Sequence, residues 1–278
     1  MVNLHALQMT SSDNVTENLS CVEGLLAKLF TSSFANTGAH DENIVVLPEC
    51  FSMFGCGGRA MLARAEALGD GEVQLALSSL AKQYQLYLVG GSMPITSNEP
   101  QKYFACSIIY GPNGELVSRY NKMHLFDVNV DDNTQNYNES AYTTAGHCCS
   151  VASLPFARVG QSICYDLRFP ELYRKMNFPD IVVVPSAFTQ VTGEAHWHAL
   201  LKARAIENQC YVVAANQSGK HQDGRETFGH SCIYSPWGEL LSIIKSGQGM
   251  ASSVFNKDAL TKIRKAMPVR SHIRGNYE

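Results

Sequence analysis

The sequence predicts an α/β fold of layered sheets and helices that is built twice within one chain. Three pairs of similar segments support this prediction, and they occur in the same order in both halves. Each pair is separated by an offset of 124 or 137 residues. The pairs are 109–118 (IYGPNGELVS) with 233–242 (IYSPWGELLS), which share seven of ten residues, 81–91 (AKQYQLYLVGG) with 205–215 (AIENQCYVVAA), and 45–51 (VVLPECF) with 182–188 (VVVPSAF).

Within each half the pattern runs from strand to helix to strand to hairpin. A short apolar strand ends in proline, and an amphipathic helix follows over residues 73–84 or 198–209, with apolar residues at helical spacing. A Val- and Tyr-containing strand then leads to a hairpin that turns at P-x-G. Strands that alternate with helices favour layered sheets. We therefore expect residues 1–278 to form one domain, with two sheets packed face to face and helices outside both.

Composition excludes several classes of protein. The chain is 45% hydrophobic and 17% charged, which is typical of a globular protein with a sizeable core. Its net charge is −3 and its basic residues are scattered, so neither nucleic acid nor an anionic membrane surface is an expected partner. The apolar runs are too short to cross a bilayer, and the first residues lack the basic flank and apolar core of an export signal.

The nine cysteines predict a reduced protein rather than a disulfide framework. Their number is odd and no C-x₂-C pair occurs, so a zinc ribbon is not expected either. Four of them lie in apolar periodic segments, where a free cysteine behaves as a small buried hydrophobe. These four are Cys21, Cys106, Cys210 and Cys232. A cytoplasmic location is the expectation.

The repeat also reveals an asymmetry that points to chemistry. After the proline of the first repeated strand the sequence has Glu49, whereas the equivalent strand of the second half has Ser186. A carboxylate at the mouth of a buried strand costs free energy unless it is paired. Glu49 therefore requires a role beyond packing.

Four chemically capable residues occupy predicted strand ends: Glu49, Lys122, Glu139 and Cys164. Ligands of layered α/β folds gather outside strand ends, so the four could converge. A thiol of reference pKa about 8.5 needs a base to attack at neutral pH, and a carboxylate can supply it. A lysine between two carboxylates stays charged and can stabilise an oxyanion. Such a set needs no metal or cofactor. Taken singly, each residue could instead be structural: a packed cysteine, a solvated lysine or a capping glutamate.

The context of these residues is more specific than their types. The segments LPE, YNKMHLFD, CYDLRFPE and HWHALLKARAIENQ, together with GHSCIYSPWGE, resemble the signature regions of the nitrilase superfamily, the carbon–nitrogen hydrolases. The resemblance extends from about Leu4 to the C-terminal segment, in effect over the whole chain.

This resemblance implies a four-layer αββα sandwich with an internal pseudo-twofold repeat, and at least a homodimer. It also implies Cys164 as nucleophile, Glu49 as general base and acid, Lys122 as oxyanion cation and Glu139 as the second carboxylate on the lysine. The backbone N–H of Tyr165 would complete the oxyanion hole.

Two segments are most similar to the small amidase branch of that superfamily, CYDLRFPELYR and residues 185–231. This branch contains deaminated-glutathione amidases and ω-amidases, and GKHQDGRETFGHS resembles the former more closely. The expected substrate is a small amide with a carboxylate, deaminated glutathione first. The alternatives are α-ketoglutaramate and another nitrilase-type substrate. Arg168 suits bidentate carboxylate binding, although it could instead pair with Asp166 or Glu171. The resemblance adds Phe188 and Thr192 to the substrate pocket.

Two other hypotheses stay open at this point. A papain-like cysteine hydrolase would use His196 or His198 as its base, although packing at the start of a helix is the simpler role for these residues. A protein of a different class, which binds a ligand in the same pocket without turnover, would need no nucleophile.

Overall fold

The computed structural model describes residues 1–31, 41–132 and 134–274. The helices within these ranges are α1 (Val15–Thr31), α2 (Gly58–Ala63), α3 (Glu72–Gln83), α4 (Pro170–Lys175), α5 (Gln190–Asn208), α6 (Lys257–Ala266) and α7 (Val269–His272). The strands are β1 (Val2–Gln8), β2 (Glu42–Val46), β3 (Tyr87–Val89), β4 (Met93–Thr96), β5 (Tyr103–Tyr110), β6 (Leu116–Asn121), β7 (Asp127–Asn129), β8 (Asn136–Asn138), β9 (Ser150–Ser153), β10 (Arg158–Gln161), β11 (Ile181–Ser186), β12 (Tyr211–Asn216), β13 (Ser218–Lys220), β14 (Glu226–Phe228), β15 (Ser231–Tyr234), β16 (Leu240–Ile244) and β17 (Gly249–Val254).

Two large sheets share one topology. The first has the order β17-β1-β2-β3-β5, with β6 and β4 also paired to β5, and the second has the order β9-β10-β11-β12-β15-β16. In both, the three strands that follow the first are parallel, and the outer strands are antiparallel. In the second sheet, the edge strand β9 comes just before β10 in the sequence. Its counterpart in the first sheet, β17, comes instead from the C-terminal part of the chain. This arrangement confirms the internal repeat.

Details of the backbone repeat as well. Gln85 and Gln209, 124 residues apart, both adopt a left-handed conformation after their helices, with φ of 50° and 47°. Both P-x-G hairpins carry an irregularity at the same place, between Ile109 and Tyr110 and between Ile233 and Tyr234. These paired features lie in the repeated segments, because they depend on local sequence.

Alternation along the parallel strands creates the four layers. Ile44 and Val46 face a core between the two sheets, whereas Val45 faces α1 and α3 on the outside. In the second sheet, Val183 faces the central core and Val184 faces α4 and α5. Successive side chains of a strand point to opposite faces, so strands covered on both faces are apolar throughout. The predicted αββα sandwich is confirmed.

Two details differ from the sequence prediction. Helix α5 begins at Gln190, eight residues before the predicted start, because Thr189 caps it by accepting a hydrogen bond from the Thr192 N–H. Cys21 is only partly buried, at the edge of the core under α1, whereas Cys106, Cys210 and Cys232 are fully buried as expected. None of the helices in the three described ranges is long and apolar enough to cross a membrane.

Candidate active site

Glu49 lies beyond the end of β2 in a tightly built loop. Gly91 comes so close to Pro48 that a Cβ there would overlap the Pro48 carbonyl oxygen, and its φ of +48° suits glycine. The Glu49 carbonyl accepts a hydrogen bond from Gln217 Nε2 at 3.0 Å, which ties the loop to the second half. Only 5% of Glu49 is exposed, and the residue lines the pocket described below.

Lys122 follows directly on β6 and binds two carboxylates. Its Nζ lies 2.7 Å from Glu49 Oε1 and 2.8 Å and 3.0 Å from the two oxygens of Glu139. Burial alone would lower the pKa of Lys122, but the charges of Glu139 and Glu49 outweigh it and hold that pKa above its ordinary value. Lys122 therefore stays an ammonium ion although only 2% of it is exposed.

Glu139 is the first residue of a short 3₁₀ turn after β8. Besides binding Lys122, its Oε2 accepts a hydrogen bond from the Phe126 N–H at 2.7 Å. Burial raises the pKa of Glu139, whereas the Lys122 charge opposes this rise. The interactions fix the carboxylate against the lysine.

Cys164 opens a 3₁₀ turn that follows β10 and spans Cys164–Arg168. Its φ of +47° is rare for a residue with a side chain and is the kind of backbone strain found at active sites. Burial raises the pKa of its thiol well above the ordinary value, and the neighbouring Glu49 carboxylate raises it further. The thiol is therefore protonated at neutral pH, and its hydrogen bond to Glu49 points the proton at the carboxylate that can remove it.

Tyr165 is the second residue of that turn. The first N–H groups of a helical turn have no acceptor within it, and they suit a developing negative charge. Its backbone N–H directly follows Cys164 in this turn, so it could serve as an oxyanion donor.

Asp166 is a structural member of the site that the sequence did not reveal. Fully buried, it accepts hydrogen bonds from the Tyr120 hydroxyl at 2.8 Å, from the His124 N–H and ring, and from the Ile163 N–H. It thereby joins the Lys122 loop to the Cys164 turn. The alternative of an Arg168–Asp166 ion pair is wrong, because both carboxylate oxygens of Asp166 accept hydrogen bonds from these other groups.

All the sequence-predicted site residues meet in one pocket of about 380 Å³. Arg168 lies over the rings of Tyr165 and Phe188, with its guanidinium carbon 5.9 Å and 5.5 Å from the ring centres. Its Nη1 is 3.2 Å from His196 Nδ1, and no carboxylate of the described ranges forms an ion pair with it. The predicted residues in the pocket wall are Glu49, Lys122, Glu139, Cys164, Tyr165, Arg168, Phe188 and Thr192.

Comparison with known proteins identifies the family of this chain. The profile of the family described as carbon-nitrogen hydrolase matches residues 6–251. The chain belongs to the carbon-nitrogen hydrolase family. It is 40% identical to a deaminated glutathione amidase of Synechocystis sp., with 96% of each chain covered, and 37% identical to omega-amidase NIT2 of Xenopus tropicalis, with 83% of each covered. The crystal structure of Saccharomyces cerevisiae Nit3, a nitrilase superfamily member, superposes with a TM-score of 0.82 at 28% identity, covering 96% of this chain and 94% of that one.

The two histidines of the papain-like alternative lie outside the pocket of this carbon–nitrogen hydrolase. His196 is exposed and contacts Arg168. His198 Nδ1 bonds with the Tyr234 hydroxyl and its Nε2 with His230 Nδ1, both at 2.9 Å. Neither ring is among the pocket residues, so the geometry favours Glu49 as the base.

Two short hairpins frame the pocket mouth of this hydrolase, and sequence reasoning did not place either there. The β7–β8 hairpin contributes Tyr137, and the β13–β14 hairpin contributes Asp223 and Arg225. Phe54, from the loop after β2, also lines the pocket and contacts Arg225 of the second hairpin. The Asp-Gly step at 223–224 signalled a turn, but a turn alone does not indicate which surface it covers.

Proposed function

We propose that the protein is a cysteine amidohydrolase that cleaves the amide bond of a small carboxylate-bearing substrate, with deaminated glutathione as the first candidate. The observation that carries this proposal is the buried cluster in which Glu49 contacts both the Cys164 thiol and Lys122. One carboxylate thus touches both the nucleophile and the cation that an acyl transfer requires.

The geometry supports a two-step reaction. Cys164 Sγ attacks the amide carbon while its proton passes to Glu49, and Lys122 with the Tyr165 N–H stabilises the oxyanion. Glu49 then returns the proton to the nitrogen, the C–N bond breaks, and the amine leaves a thioester on Cys164. In the second step Glu49 takes a proton from water and hydroxide attacks the thioester. The C–S bond then breaks, the acid departs, and the Cys164 thiolate takes the proton from Glu49.

The pocket also supports a choice of substrate class. Arg168 lines the same pocket as Cys164, and no carboxylate within the described residues pairs with its guanidinium, as recognition of a substrate carboxylate requires. Phe188 and Thr192 form the adjacent wall. Relatives similar over most of the chain are named deaminated glutathione amidase or omega-amidase. α-Ketoglutaramate is therefore the second candidate substrate, and a different amide or nitrile the third.

A side-by-side assay tests the proposal. Deaminated glutathione, α-ketoglutaramate and simple aliphatic nitriles are offered to wild type and to Cys164→Ala, Glu49→Gln, His196→Ala and His198→Ala variants. We expect amide hydrolysis by wild type and both histidine variants, and its loss from the other two. Full activity of Cys164→Ala would refute the mechanism, and turnover of nitriles alone would refute the amidase assignment.

Mass spectrometry separates an enzyme from a protein that only binds. A wild-type sample quenched during turnover should contain Cys164 heavier by the acyl group. Substrate binding without product and without this adduct would instead support the binding hypothesis.

Two further parts of the proposal concern setting and assembly. All nine cysteines are free thiols, which supports a reducing, cytoplasmic location. Exposed apolar side chains, Ile206 of α5 and Trp237 in the adjoining turn, support a homodimer or larger oligomer. Light scattering after gel filtration, with Trp237→Glu as the variant, tests the assembly.

A further inference from the structure

A second guanidinium, that of Arg225, lies in the pocket wall. We infer that Arg225 binds a carboxylate on the amine side of the scissile amide, so that the pocket selects substrates with a carboxylate at both ends. This inference rests on the proposed amidohydrolase function and specifies its substrate further.

The backbone of Arg225 is held by a tight turn. The His221 N–H donates to the Arg225 carbonyl at 2.8 Å, and the Gly224 N–H donates to the His221 carbonyl at 3.0 Å. Gly224 has a φ of +86°, which a residue with a side chain rarely adopts. The buried His221 ring bonds to the Ser11 carbonyl at 3.0 Å and so fixes the turn to the first half of the protein.

The side chain is held as firmly as the backbone. Arg225 Nε donates to Asp223 Oδ2 at 2.6 Å, and its guanidinium carbon lies 4.3 Å from the centre of the Phe54 ring. In the part of the chain that the structure describes, the two terminal nitrogens of this guanidinium have no hydrogen-bond acceptor. A guanidinium oriented by one carboxylate and one aromatic face, with a free edge toward a pocket, is suited to bidentate binding of a second carboxylate.

Of the carboxylates in the pocket wall, Asp223 is the one that pairs with Arg225 in the described part of the chain. Glu49 and Glu139 are both bound to Lys122. Glu226 lies directly opposite Lys220 in the register of the hairpin. Asp223 orients Arg225 but uses only its Nε edge.

The two pocket arginines lie on different walls. Arg168 rests on Tyr165 and Phe188 in the wall formed by the Cys164 turn and the loop before α5, whereas Arg225 rests on Phe54. We place the carboxylate that Arg168 binds on the acyl side of the amide, because deaminated glutathione and α-ketoglutaramate both carry a carboxylate there. A second carboxylate must therefore come from the leaving amine, as in an amide formed by a peptide that ends in a free carboxylate.

The test compares two substrates that differ only at that end. Deaminated glutathione carries a terminal glycine carboxylate, and its C-terminal amide lacks this charge. Wild type should hydrolyse the free acid about 10- to 100-fold better in kcat/KM, as expected for a charge-assisted pair, and mainly through KM. In Arg225→Gln this preference should fall to about twofold or less, whereas Arg225→Lys should retain part of it. Arg119→Gln, an exposed arginine outside the pocket, is the matched control.

The ratio of the two substrates separates recognition from folding, because a loosened hairpin would slow both reactions. A wild-type enzyme that hydrolyses both substrates equally well, or an Arg225→Gln variant that keeps the full preference, overturns the inference and leaves the amidohydrolase proposal intact. A wild-type protein that hydrolyses no amide overturns both.

Discussion

Replacing Lys122 with Met tests the buried ion cluster most directly, since Met has a similar length and no charge. The Nζ atom lies 2.7 Å from Glu49 and 2.8 Å from Glu139. At an effective dielectric constant of about 20, each pair contributes about 6 kcal/mol of attraction, most of which offsets the cost of burying the charges. Removal of one partner of a buried pair costs about 3–5 kcal/mol. We expect the Lys122→Met variant to melt roughly 10 °C below wild type at pH 8.

The same variant should show a characteristic pH dependence. Burial already raises the pKa of Glu139, and without Lys122 only the hydrogen bond from the Phe126 N–H opposes this rise. A carboxyl group whose folded pKa exceeds its unfolded pKa favours the folded state at low pH and loses that contribution as pH rises through the folded pKa. The stability deficit relative to wild type should therefore be smaller at pH 5 than at pH 8, as thermal melts at both pH values would show.

A double variant supplies the control. Adding Glu139→Gln to Lys122→Met removes one of the two stranded charges and should recover about half of the lost stability. Amide hydrolysis should stay at least about a hundredfold below wild type in both variants, because the oxyanion cation is absent. A Lys122→Met protein that melts within 2 °C of wild type at both pH values would refute the reasoning.

Two further predictions concern residues outside the cluster. Gly91→Ala should lower kcat at least about tenfold with little change in KM, since its Cβ displaces Pro48 and hence Glu49; Gly24→Ala, with nothing within 4 Å, is the control, and equal kcat in both would contradict the prediction. Burial lowers the pKa of His5 from 6.5 to about 4, so its stabilising contribution is present above about pH 6.5 and is lost as pH falls toward 4. Urea unfolding of wild type at pH 7 and pH 5 should show a loss of about 2 kcal/mol from this residue, and His5→Gln should remove that part of the pH dependence.

The internal repeat made much of the fold predictable, because short similar segments of sequence in the two halves form similar structures. The segments around Gln85 and Gln209, and around the two P-x-G hairpins, form alike because their turns depend on neighbouring residues. The strand pairings at the edges of the sheets could not be predicted in this way. The contact of β17 with β1 joins residues about 250 positions apart, such as Leu4 and Ser253. Neither segment has a sequence pattern that identifies the other as its partner.

The residues of the candidate site also fall into two groups, those that the sequence predicts and those that it does not. Glu49, Lys122, Glu139 and Cys164 stand in extended motifs, so both their types and their contexts pointed to them. Asp166 and Arg225 act through contacts between distant segments: Asp166 binds the Lys122 loop, and Arg225 stacks on Phe54. No spacing in the chain encodes these contacts, since they depend on how the sheets pack.

The geometry of the cluster also explains why two carboxylates hold one lysine. Before attack, the negative charges are on Glu49 and Glu139, and the thiol is neutral. In the proposed reaction the thiol proton moves to Glu49, and the negative charge that Glu49 carried appears on the oxyanion next to Lys122. The net charge of the cluster is thus unchanged. During this transfer Lys122 loses Glu49 as an ionic partner but keeps Glu139 at 2.8 Å, so its position stays fixed while its second partner changes. A single carboxylate would have to serve both as base and as anchor. The proton transfer would then weaken the interaction that holds the oxyanion cation in place.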